Sequence, residues 1–80
     1  MPGFSEYFED FDTKIARIEV SGAVAVIDNV KKIIIMSDEL ITVDYGRGQI
    51  SLSGKNMMVD YLSGGRMCVK GRFYGIDFTG

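Results

Sequence analysis

Ten glycines punctuate this chain of 80 residues, and from Lys14 onward they recur at strand-length intervals between runs of valine and isoleucine. That spacing constrains the fold more than any other feature. Segments of five or six apolar-rich residues bounded by Gly, Ser, Asn and Asp read as β-strands. We expect strands near 15–20, 23–27, 30–36, 40–45, 49–53, 57–62, 66–70 and 72–78. The clearest hairpins are Gly46-Arg47-Gly48 and Ser63-Gly64-Gly65, because tight turns demand the positive φ that glycine supplies. Loops this short join antiparallel neighbours, since a parallel crossover needs a dozen or more residues.

Alternation assigns faces. Ile50 and Leu52 lie between Gln49, Ser51 and Ser53; Met57, Val59 and Tyr61 share a face, as do Met67 and Val69. The parity changes between Phe73 and Ile76-Phe78, with Gly75 at the change, which predicts a bulge or bend there. Ile33 to Met36 does not alternate, and is expected centrally, covered on both faces. One pattern recurs three times: Ile18-Glu19-Val20-Ser21-Gly22, Ile50-Ser51-Leu52-Ser53-Gly54 and Met67-Cys68-Val69-Lys70-Gly71. Each reads apolar, any, apolar, polar, glycine. The glycine intervals are unequal, so this is no solenoid repeat. It reads as a strand that bends sharply at glycine and continues, with Gly22, Gly54, Gly71 and Gly75 as corners.

The expected fold is therefore all-β. It is a small antiparallel curled sheet, barrel-like or sandwich, of about 6–8 short strands, with a short N-terminal helical segment. Residues 1–13 form that segment and 14–80 a single β domain. Phe4, Tyr7, Phe8 and Phe11 fall at i, i+3, i+4 and i+7, one face of a helix, with Glu6, Glu9 and Asp10 opposite. Ser5 is placed to cap it. Two turns are marginal alone, so the aromatic face needs a surface. Either it closes the end of the β core, or it docks on a partner or a second copy. Those four aromatics are the candidate interaction surface.

At this size one core is all the chain can build, burying only about 60% of its unfolded surface. The net charge is −2, and after the acidic N-terminus nine bases face seven acids. That balance is too weak for binding dominated by nucleic-acid phosphates. No run approaches the ~20 apolar residues of a membrane span, and none resembles a signal peptide. With one cysteine, the expected location is the cytoplasm.

Chemistry-bearing residues are sparse. The sequence contains no histidine, the commonest general base and zinc ligand. Cys68 sits between Met67 and Val69 as an inert strand residue. Asp38-Glu39 and Asp28-Asn29 read as turns, and Asp44 and Asp60 as exposed strand residues. Gly46-Arg47-Gly48 lacks the lysine-serine ending and following helix of a phosphate loop. Tyr61, Phe73, Tyr74 and Phe78, near Arg66, Lys70 and Arg72, could form a stacking platform, but Phe73 and Phe78 match core positions. No catalytic, metal or cofactor site is expected, and the chain reads as non-enzymatic.

From Ile18 to Phe78 the chain resembles the YabP/YqfC family of small sporulation proteins. The carriers are Val26-Ile27-Asp28-Asn29, Ser37-Asp38-Glu39-Leu40-Ile41-Thr42-Val43, Gly48-Gln49-Ile50-Ser51-Leu52-Ser53-Gly54-Lys55-Asn56-Met57 and Met67-Cys68-Val69-Lys70-Gly71-Arg72-Phe73. It departs from the family at Asp28, Val30, Lys32 and Met36. The resemblance implies a scaffolding or protein-interaction role in endospore development. The implied partner is a protein, such as a sporulation membrane protein, met peripherally at the cytoplasmic face of a developing-spore membrane; a homo-oligomer is also open. The alternative is a small β-barrel that binds nucleic acid or a small ligand. An interaction module should present an apolar patch or an unpaired edge; a binding barrel should present clustered basic and aromatic groups.

Overall fold

The computed structural model describes residues 17–79. Six strands form one antiparallel sheet: β1 (Arg17–Ser21), β2 (Val24–Asp28), β3 (Lys32–Met36), β4 (Leu40–Asp44), β5 (Gln49–Ser63) and β6 (Arg66–Thr79). Their spatial order is β1-β2-β6-β5-β4-β3, and the sheet does not close. The fold is all-β and antiparallel, as expected, and of the barrel-like and sandwich forms left open by the sequence the sheet does not take the closed one. The segment carrying Phe4, Tyr7, Phe8 and Phe11 lies outside the described residues.

The expected short strands 49–53 and 57–62 are one strand, and so are 66–70 and 72–78. β5 and β6 run 15 and 14 residues. Each bends midway instead of ending. The hairpin between them turns on Gly64 and Gly65, both at positive φ (57° and 80°), as a two-residue turn matching strand twist requires.

The bend divides the sheet into two halves that share the long strands. In one half β1, β2, the start of β6 and the end of β5 pair in that order, with Ala25↔Val69↔Val59 and Ile27↔Met67↔Leu62 in register. In the other, β3, β4, the start of β5 and the end of β6 pair, with Ile41↔Leu52↔Ile76 and Val43↔Ile50↔Phe78. The apolar faces of the two halves meet. Ala25, Ile27, Met67 and Val69 from one join Ile41, Val43, Ile50 and Leu52 from the other in a single buried cluster, with Val30 and Met57. Folding a sheet onto itself this way gives a chain too short for two separate sheets a two-layered core.

The two halves are built alike. Ile50-Ser51-Leu52-Ser53-Gly54 and Met67-Cys68-Val69-Lys70-Gly71, two of the three copies of the recurring pattern, occupy equivalent places. Each lies between a preceding hairpin and the far half of the other long strand, and each ends at the corner. The Gly54 N–H donates to the Glu39 carbonyl in the β3–β4 turn; the Gly71 N–H donates to the Ala23 carbonyl in the β1–β2 turn, both at 3.0 Å. The first copy differs: Gly22 lies in the tight β1–β2 turn and is not a corner.

At the corner two residues of β5, Asn56 and Met57, oppose one of β6, Gly71. Such a mismatch sharpens the local bend. Asn56 adopts φ 54°, a left-handed conformation that Asn tolerates better than most residues. Met57 turns inward and is buried.

Two further local expectations meet the structure differently. The parity change before Ile76 is a bulge: Ser53 pairs with Gly75 and Gly54 with Phe73, leaving Tyr74 extra. The run Ile33 to Met36, however, is not central. β3 is an edge strand, and Met36 is 53% exposed. Its alternation is hidden by a bulge, not by burial on both faces: Ile33 pairs with Val43 and Ile35 with Thr42, so Ile34 is extra.

Candidate functional site

The bend has a consequence for the sheet's edges. β2 pairs with β6 only from Met67 to Lys70, and β4 pairs with β5 only from Gln49 to Ser53. Beyond the corner each long strand therefore loses one neighbour. Among the described residues, β6 from Phe73 to Thr79 is paired only on its β5 side, and β5 from Met58 to Ser63 only on its β6 side. Unpaired backbone along a strand is a template for another strand.

Both edges expose apolar side chains, and each carries one exposed acid, Asp77 on β6 and Asp60 on β5. Tyr74 is 65% exposed, Ile76 38% and Phe78 54%. Ile76 and Phe78 lie in register with Leu52 and Ile50, so they continue the core face past the point where the opposite half covers it. Phe73 turns inward and packs on the core. The β5 edge exposes Met58, Tyr61 and Leu62, and Asp60 and Lys70 approach each other there at 3.8 Å; the β6 edge differs in that its apolar side chains Ile76 and Phe78 extend the core face.

The aromatic platform considered from sequence is dispersed. Tyr61 pairs with Cys68 in one half, Phe78 with Ile50 in the other, and Phe73 belongs to the core. Two of the three nearby bases are paired with acids. Arg66 Nε donates to Asp28 Oδ1 at 2.8 Å, and Lys70 meets Asp60. The hydrogen bond to Asp28, and then its charge, raise the Arg66 pKa above its ordinary value. Asp28 thus ends β2 as an ion-pair partner rather than acting in a turn, a role sequence reading missed because Arg66 lies 38 residues away. Asn29 takes the turn position, at φ 67°.

The remaining candidate groups are held locally. Asp44 Oδ1 accepts from the Gly46 N–H at 2.6 Å, which sets the β4–β5 turn. The Asp38-Glu39 turn is organised by Ser37, whose Oγ accepts from the Leu40 N–H at 2.9 Å. Cys68 is buried on the outer face, flanked in register by Val26 and Tyr61. Among the described residues no three of His, Cys, Asp and Glu gather as a metal site would require, and no helix is long and apolar enough to cross a membrane.

Compared with known proteins, the chain matches no family model, no curated protein and no solved structure.

Proposed function

We propose that this protein is a non-enzymatic protein-interaction module whose contact element is the outer half of β6, Phe73 to Thr79. The observation that carries this reading is the pairing of that segment, among the described residues, on one side only, with Tyr74, Ile76 and Phe78 exposed along it. A partner strand added there gains main-chain hydrogen bonds, while alternate side chains supply specificity. Ile76 and Phe78 offer it apolar area continuous with the core. Several residues that could do chemistry are otherwise engaged: Cys68 is buried, Asp28 and Asp60 pair with cations, and Asp44 braces a turn.

The resemblance to the YabP/YqfC sporulation family extends the proposal to a setting. The module serves endospore development as a scaffold, and its partner is a protein at the cytoplasmic face of a developing-spore membrane. The test is capture from lysates of sporulating cells, with the intact chain and Ile76→Lys as baits. A protein retained by the first and lost by the second, with both baits folded, is the expected result. Equal capture by both baits, or recovery of nucleic acid alone, would overturn the proposal.

A further inference from the structure

A second surface feature lies at the corner, apart from the β6 edge. Lys55 and Arg72 are direct cross-strand partners. Side chains so placed have Cβ atoms about 5 Å apart, and like charges there repel. Among the described residues no acid offsets the pair: neither cation forms an ion pair or hydrogen bond there, whereas Arg66 and Lys70 each have a carboxylate within 4.0 Å. The acidic turn Asp38-Glu39 reaches the same corner, but through its backbone carbonyls, which accept from Met57 and Gly54.

These two side chains line an open depression of about 350 Å³ with Asn56, Ala23 and Gly71. Among the described residues the Asn56 carboxamide also has no partner, so it offers a third donor. The floor is held in place. Asn56 is fixed in its left-handed conformation by the bulge, and Gly71 is tied to Ala23 by its N–H. Ligand pockets of this modest size usually have mainly apolar walls. This one instead offers an ammonium, a guanidinium and an amide, a donor set that matches an oxyanion, with the guanidinium able to engage two oxygens at once.

We infer that the corner binds a phosphate-type oxyanion between Lys55 and Arg72, with Asn56 as a further donor. Occupancy offsets the repulsion built into the register. A free phosphate and a phospholipid headgroup share this chemistry.

The test is titration of the full chain with inorganic phosphate, read by backbone amide chemical shifts, against sodium chloride at matched ionic strength. Saturable shifts at Ala23, Asn56 and Gly71 are expected. Arg72→Gln and Lys55→Gln should each weaken binding about tenfold, Arg72→Lys should weaken it less, and Lys31→Gln should leave it unchanged. Co-sedimentation with phosphatidylcholine vesicles, with and without phosphatidylglycerol, separates the sources. Binding that requires phosphatidylglycerol and Arg72 assigns a headgroup; phosphate binding without vesicle binding assigns a free anion. Shifts reproduced by chloride, shifts retained in both glutamine variants, or no response to either probe would overturn the inference.

Discussion

Gly54 lies directly beneath the Arg72 carbonyl, so close that a Cβ on Gly54 would overlap that oxygen. Both atoms belong to backbone, and neither can swing aside. The two long strands can cross at the corner only because residue 54 has no side chain. Gly71 is its counterpart on β6, at φ 154° and with Met57 Cα at 2.8 Å from where its Cβ would stand. Gly54→Ala should therefore cost at least about 3 kcal/mol, the range of overpacking and backbone strain combined. A Cβ at Gly75 meets open space, so Gly75→Ala should be neutral or stabilise by about 0.5 kcal/mol. Urea unfolding of the two variants checks the contrast.

The equivalence of the two halves makes a paired prediction. Leu52 and Val69 hold matching positions, and both are fully buried. Leu52→Ala should cost about 2–5 kcal/mol. Val69→Ala, removing a smaller side chain from the same single core, should cost somewhat less but must also be substantial. The same denaturation midpoints should fall together by circular dichroism and fluorescence in both variants. Loss of one half with retention of the other would show two cores instead of one.

Thr42 is buried at 4% exposure on the face opposite Ile41 and Val43. Its hydroxyl lies 2.9 Å from that of Ser51, its cross-strand partner. Thr42→Val alone strands the Ser51 hydroxyl, and should cost about 1–2 kcal/mol. Adding Ser51→Ala removes the orphan and should recover part of that loss. A double-mutant cycle by urea denaturation reads the coupling.

The Arg66–Asp28 pair is exposed on the Arg66 side and should respond to salt. Because the Arg66 pKa is raised by folding, its contribution is fully present below the unfolded-state pKa. It disappears only as pH rises through the folded value, far into the alkaline range. Stability attributable to Arg66 should thus be flat in pH near neutrality. Comparing the intact chain with Arg66→Gln at low and high salt, at two near-neutral pH values, checks both parts.

Much of the corner was legible in the sequence, and the edges were not. Ile50 to Gly54 and Met67 to Gly71 each announce a strand that bends at glycine, because alternation and glycine are local signals. That the strand continues past Gly54 through Lys55, Asn56 and Met57 depends on the β6 backbone beside it, which no local pattern encodes. Ile33 to Met36 misled for a related reason. A bulge at Ile34 erases the alternation, and an edge strand then looks like a central one. The turns at Gly46 and at Gly64-Gly65 were readable because positive φ selects glycine directly. That the outer half of β6 is paired on one side only among the described residues is a fact of pairing between residues tens of positions apart, as is the Asp28–Arg66 contact. The meeting of Lys55 with Arg72 likewise follows from register, and only the structure reveals it.

Hydrogen exchange on the chain, alone and with the partner recovered by capture, tests the central proposal most directly. The β6 edge should exchange faster than the central stretch Met67 to Lys70 when the chain is alone. With partner bound, new protection should appear across Phe73 to Thr79. Protection confined to other segments, or none at all, would contradict the proposal that this edge is the contact element.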